Sequence, residues 1–235
     1  MCIRDRARTD ALIAVSQSTL DEVRSKWHPP AGLDVTVIGN GVDRRATGGR
    51  AGGRPGLRVG ALERLAPEKG ALALLDAFAL VVRDHPTASL RLAGEGPTEG
   101  AVRRRIEELG LARSVELCGF VDPATFLAET DVLVQLSAWE NCSYSLLDAL
   151  VSDSGIVATD VGGNRELLPS RCLVAPGDAE AAAARIVEQG GQPDSRPGLP
   201  EAWPTVADMC DRVAAVYADV IGAPRRRPHA HVSQH

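Results

Sequence analysis

The stretch from Asp131 to Leu168, DVLVQLSAWENCSYSLLDALVSDSGIVATDVGGNRELL, limits what this chain can fold into more than any other. Val132, Leu133, Val134 and Leu136 form a short apolar run, as in a strand covered on both faces. Ser137 to Ser143 breaks the run with a carboxylate, an amide and hydroxyls. Leu146, Leu147 and Leu150 then share one face of a helix, with Ser143 placed as its N-cap. Ile156, Val157 and Ala158 make the next strand, which ends in Thr159, Asp160 and the pair Gly162–Gly163. Strand, loop, helix, strand and glycine turn together read as one unit of a parallel sheet. Open sheets of that kind bind ligands at the carboxyl ends of their strands, where both polar segments fall.

The same alternation runs from residue 57 to about 190. Strands are expected over Leu57–Ala61, Leu90–Ala93, Val115–Leu117 and Cys172–Val174. Between them, helical spacing links Ala71, Leu74, Leu75, Phe78 and Val82, and further helices fall over Thr98–Leu109, Ala124–Glu129 and Ala179–Gln189. The implied fold is α/β, a Rossmann-like parallel sheet with helices on both faces. Residues 1–43 stand apart. They hold a strand at Leu12–Val15, a helix at about Ser18–Trp27 and a strand at Val35–Ile38, which leads into Gly39-Asn40-Gly41-Val42-Asp43. Read alone, this αβ fragment lacks a βαβ partner and cannot cover both faces of its strands. A Gly- and Arg-rich linker occupies 44–56, and Gly190–Pro200 is a loop. An amphipathic helix within 200–222 is marked by Trp203, Val206, Cys210, Val213, Tyr217 and Val220. Residues 223–235 form a polar tail expected to be disordered, whose His229 and His231 lack the flanking ligands of a metal site.

Charge narrows the functions open to such a chain. The net charge of -5 provides no basic face for nucleic acid. No apolar run reaches the roughly 18 residues of a membrane span, and MCIRDRARTD has no apolar core of a signal peptide. Cys2, Cys118, Cys142, Cys172 and Cys210 show no metal-ligand spacing and fit a reducing, cytoplasmic setting. No cofactor is implied. The aromatic content of 3% leaves Leu, Val and Ala to build the core.

Two sets of residues point to an anion site. Glu140 precedes the central helix, and Asp148 lies within its apolar run, where a carboxylate is costly without a partner. The amides from Asn141 to Tyr144 open that helix and suit a phosphate. In the loop ERLAPEKG, Arg64 follows a strand and Lys69 precedes a helix, so two cations lie beside exposed amides. Lys69 is one of only two lysines, with Lys26.

These residues resemble the donor-binding signature of the GT-B glycosyltransferases, in particular the large retaining group called family 4. Ser137, Glu140, Asp148, Gly162, Gly163 and Glu166 match its acidic residues and glycine turn, and Arg64 with Lys69-Gly70 matches its cationic loop. Three positions depart from the pattern: Asp148 replaces glutamate, Asp153 replaces glycine and Gly155 replaces proline. The resemblance runs from Leu12 to Tyr217. It implies transfer of a sugar from a UDP-, GDP- or ADP-sugar to an acceptor, with retention of configuration. Arg64, Lys69 and Glu140 would act at the reacting group, the two cations taking the place of a metal ion; the sequence holds no Asp-x-Asp pattern. Glu140 would hold donor-sugar hydroxyls and Asp148 the ribose hydroxyls. Gly94, Cys118, Gly119 and Phe120 would meet the nucleotide, and Asn141, Cys142 and Ser143 would complete the pocket. Residues 1–43 would be the remnant of an acceptor-side domain whose absent part binds a sugar or lipid-linked acceptor, leaving this piece inactive by itself. The helix at 200–222 would cross back to that domain.

Two other classes remain at this stage. A nucleotide-binding scaffold with a degenerate site would explain Asp148, Asp153 and Gly155, although a turn needing positive φ would suit aspartate at 153. An NAD-dependent oxidoreductase is disfavoured, because Gly60-Ala61-Leu62-Glu63 is not the G-x-G-x-x-G turn.

Overall fold

The computed structural model describes residues 9–30, 32–44 and 56–222. The tail 223–235 and most of the 44–56 linker lie outside the described residues. The chain opens with β1 (Ala11–Ala14), α1 (Gln17–Trp27) and β2 (Asp34–Val37). Then follow β3 (Arg58–Leu62), a 3-10 turn (Pro67–Lys69), α2 (Ala71–Asp84), β4 (Ser89–Ala93), α3 (Glu99–Glu108) and β5 (Val115–Gly119). The second half contains α4 (Pro123–Ala128), β6 (Val132–Gln135), α5 (Tyr144–Val151), β7 (Gly155–Thr159), the short α6 (Asn164–Leu167), β8 (Leu173–Val174), α7 (Ala179–Gly191) and α8 (Val206–Gly222).

Six strands form one sheet in the order β5-β4-β3-β6-β7-β8, and every pairing between neighbours is parallel. This is the doubly wound order, in which the chain starts centrally, runs to one edge, then returns and runs to the other. The alternation of side chains along β6 shows how the sheet is covered. Val132 and Val134 belong to a core shared with Leu74, Leu75 and Phe78 of α2, Val102 of α3 and Ile186 of α7. Leu133, between them, joins the opposite core with Phe126 of α4 and Leu146, Leu147 and Leu150 of α5. Helices therefore cover both faces, and β6 is buried throughout, as the apolar run implies.

Residues 11–37 correct one expectation. β1 and β2 pair in parallel with each other, Leu12 opposite Val35 and Ile13 opposite Thr36. With α1 between them they make a βαβ unit of their own, and they add no strand to the large sheet. The helix begins where Ser16 caps it, its Oγ accepting the Thr19 N–H at 3.0 Å.

The last helix also departs from its expected face. Val206, Cys210 and Tyr217 are exposed, whereas Met209, Val213, Val216 and Val220 are half-buried. The stripe has turned by one position because the helix is anchored through Met209, whose Sδ accepts the Gly41 N–H at 3.2 Å. Arg212 reaches the Val37 carbonyl at 2.6 Å. The C-terminal segment thus returns to the first βαβ unit.

Candidate functional site

The strand order reverses between β3 and β6, so the loops leaving these strands diverge to opposite faces and open a crevice at their carboxyl ends. The β3 loop carries Glu63, Arg64 and, at the end of its 3-10 turn, Lys69. The β6 loop carries Ser137 and Glu140. Ala138 N–H donates to the Glu68 carbonyl at 2.8 Å, which laces the two loops together. Glu140 is only 7% exposed. Its Oε1 accepts from Lys69 Nζ at 2.5 Å and from Ser137 Oγ at 2.8 Å. A residue that sequence places 71 positions away is therefore the glutamate's counter-ion. An ammonium has three donors, so this pairing leaves Lys69 able to hold an anion at the same time.

The Glu140 loop is pressed against the turn after β7. Gly162 has φ of 50°, and a Cβ there would lie 1.8 Å from the Glu140 carbonyl oxygen. At Gly163 the corresponding distance to the Asn141 carbonyl is 1.7 Å. Only glycine permits this approach. Thr159 Oγ1 donates to the Ser137 carbonyl at 2.5 Å, and Asn164 Nδ2 to the Thr159 carbonyl at 3.0 Å. The glycine turn is thus the floor on which Glu140 stands.

Ser143 caps α5 as the sequence implies. Its Oγ accepts the Leu146 N–H and the Gln135 side-chain amide, the latter at 2.9 Å. The N–H groups of Tyr144 and Ser145 belong to the first turn and have no acceptor within the helix. Asp148 lies one turn further on, half-buried at the edge of the apolar stripe. The two remaining departures from the family pattern have local reasons. Asp153 adopts φ of 53°, a conformation that aspartate tolerates. Gly155 donates its N–H to the Asp131 carbonyl at 2.9 Å, a bond proline lacks, and a Cβ there would meet Gln189 Cβ at 2.9 Å.

The other expected site residues are distributed around this centre. Arg64 is exposed and paired with Glu68 at 2.6 Å rather than with Glu140. Gly94 and Gly119 meet at the ends of β4 and β5, where Gly94 N–H donates to the Gly119 carbonyl at 2.7 Å. Cys118 is half-buried there and Phe120 is 91% exposed. Asn141 and Cys142 face the first βαβ unit: Asn141 Oδ1 accepts from Thr19 Oγ1, and the Cys142 carbonyl from Asn40 Nδ2, each at 2.8 Å. Burial pushes the Cys142 thiol above its ordinary range.

The contacts of three residues at this edge were not legible in the sequence, although Glu166 belongs to the signature. Gln135 ends a strand otherwise read as apolar, yet it bonds the cap of α5. Glu166 accepts the Gln17 and Ser18 N–H groups, both at 2.8 Å, and so caps α1 across the interface. Glu63 carries a carboxyl oxygen, Oε1, that is buried without a hydrogen-bond partner. Only its place at the end of β3, directly before the arginine, signalled it.

A doubly wound parallel sheet with a cation, a carboxylate and a helix N-terminus at its strand-order reversal defines the class of α/β nucleotide-binding folds. Within that class, the family described as Glycosyl transferases group 1 matches residues 56–189, and the chain belongs to it. It is similar to glycogen synthase from Mycobacterium tuberculosis, 30% identical over 190 residues, covering 76% of this chain and 45% of that protein. It spans about half the length of this curated relative. Among solved structures, the pneumococcal O-GlcNAc transferase GtfA in complex with UDP and GlcNAc aligns with a TM-score of 0.78 at 15% identity, covering 94% of this chain and 48% of the other. Anabaena Alr3699/HepE in complex with UDP and glucose aligns with a TM-score of 0.73 at 23% identity, covering 89% and 63%. The fold is that of GT-B glycosyltransferases.

Proposed function

We propose that residues 57–190 bind a nucleoside diphosphate sugar as the donor half of a retaining, metal-independent family 4 glycosyltransferase, and that the 11–43 unit belongs to its acceptor-side domain. The observation that carries this reading is the Lys69–Glu140–Ser137 cluster at the strand-order reversal. In it a buried carboxylate and a cation are held within reach of one ligand. Departure of the diphosphate is the demanding event, because negative charge accumulates on it as the glycosidic bond breaks. Lys69 and the N–H groups that open α5 would stabilise that charge where it develops. Arg64 would join them by leaving Glu68, an exposed pair that solvent screens. Glu140 would accept from donor-sugar hydroxyls, and Asp148 from the ribose. β5 lies two strand spacings from β3, about 10 Å, so Gly119 and Phe120 would meet the base of a nucleotide whose diphosphate lay over Lys69. That two similar structures carry UDP supports a nucleotide in this crevice.

Titration calorimetry with UDP, GDP, ADP and NAD tests the proposal. One nucleoside diphosphate should bind, and Lys69→Ala should weaken it far more than it weakens the matching nucleoside. Each charge-assisted bond is worth about 1.5–3 kcal/mol, so the loss should reach roughly tenfold or more. Equal losses for nucleotide and nucleoside would remove Lys69 from the diphosphate site. Tight binding of NAD alone would replace the reading with a dinucleotide enzyme. Nucleotide binding without sugar transfer by the longest form of the protein would favour a scaffold.

A further inference from the structure

Glu63 is the one acid at the reversal point that the donor-site reading leaves without work. It is the first residue beyond β3, and its N–H donates to the Ala93 carbonyl at 3.0 Å. Beside it, Lys69, Ser137 and Glu140 bond one another, while Glu63 Oε1 is buried with no partner. A second carboxylate here would add a negative charge beside Glu140, in a crevice read as receiving a diphosphate. A carboxylic acid carries no charge and supplies an O–H donor. Its pKa is raised from 4.5 to about 8, chiefly by burial, with Lys69 opposing the rise and Glu140 adding to it.

We propose that Glu63 is an additional donor-site residue, whose protonated carboxyl donates a hydrogen bond to a phosphate oxygen of the bound nucleoside diphosphate. The inference rests on the donor-site reading above. It explains why a buried polar oxygen has no protein partner: the bond it lacks is made by the ligand. It also makes binding depend on a proton. When Glu63 is protonated, Lys69 and Glu140 cancel, and the crevice meets the diphosphate without net negative charge. When Glu63 ionises, it loses its donor and adds a negative charge beside the diphosphate.

The charged groups around Glu63 come from the flanking loops and from α5. Lys69 and Arg64 are the cations. Glu140, Glu68, Glu95 and Asp148 are the carboxylates. The Cys142 thiol is shifted upward by burial. The second phosphate ionisation lies near about pH 6.

The test is calorimetry between about pH 7 and about pH 9.5, using whichever of UDP, GDP and ADP binds. For the native chain, Kd should rise above about pH 8, approaching about tenfold per pH unit. Glu63→Gln keeps the size and a hydrogen-bond donor but cannot ionise. Its Kd should stay flat over the range in which the native value rises, any titration of the ligand itself being common to both proteins. On the native chain alone, calorimetry in two buffers of different ionisation enthalpy should show proton uptake on binding near pH 8, so the result does not depend on the variant folding. A pH slope unchanged in Glu63→Gln, or binding with no proton uptake, would overturn the role of Glu63 and leave the donor site standing. Failure of all three nucleotides to bind would overturn the donor site and this inference with it.

Discussion

At the scale of single residues, the Lys69–Glu140 pair links the proposed donor site to stability. Glu140 is 7% exposed, so removing its counter-ion leaves a nearly buried charge. Lys69→Met should lower stability by about 1–3 kcal/mol, measured as a shifted urea midpoint at unchanged slope. Glu63 acts in the opposite sense with pH. Its folded pKa of about 8 exceeds the ordinary 4.5, so its contribution is fully present below about pH 4.5 and declines as pH rises through about 8. Glu63→Gln should therefore raise the melting temperature relative to the native chain at pH 8.5, with the gap closing towards pH 4.5. Asp148→Glu restores the acid usual in the family one methylene further out. It should keep or modestly tighten nucleotide affinity, whereas Asp148→Ala weakens the ribonucleotide and spares the 2′,3′-dideoxy form. An equal loss for both ligands would make Asp148 structural.

At the scale of elements, periodicity made most of the large sheet legible. Val132 to Leu136 and the Leu146/Leu147/Leu150 face each have one reading, because a strand covered on both sides and a helix covered on one leave different patterns. Ser143 was legible as a cap for the same local reason. Partnerships between distant residues were not. Nothing in the order of residues says that Lys69 joins Glu140 while Arg64, five positions earlier, turns to Glu68. The face of α8 was misjudged because its anchor, Met209 on Gly41, lies far away in sequence. The glycine turn makes a sharp element-level test. Gly162→Ala must displace the Glu140 carbonyl now 1.8 Å from the new Cβ, at a cost of about 1–3 kcal/mol. Nucleotide binding should fall while the far-ultraviolet circular dichroism of the sheet persists. Gly155→Pro, although it restores a family residue, should destabilise the chain, because it removes the bond to Asp131.

At the scale of the whole molecule, two βαβ systems of unequal strength meet at one seam. A two-stranded sheet is marginal in isolation, and β1 and β2 pair only with each other among the described residues. The six-stranded sheet has helices on both faces. Amide hydrogen exchange should therefore be markedly faster in 11–14 and 34–37 than in 132–135 and 155–159. Comparable protection would mean that the small unit draws its stability from the large one. Among the described residues, no helix is long and apolar enough to cross a membrane.

The seam has a practical meaning for protein engineering. Glu22 accepts from the Trp139 indole, Thr19 and Asn40 hold Asn141 and the Cys142 carbonyl, and Glu166 receives two amides of α1. One side of the Glu140 loop is therefore built by residues that precede the linker. A fragment cut at Gly56 to test the proposed donor site would keep every strand of the large sheet and still lose these contacts to the Glu140 loop. A useful excision would carry residues 9–44 along, and the Trp139 indole, half exposed and bonded across that seam, would serve as its built-in fluorophore.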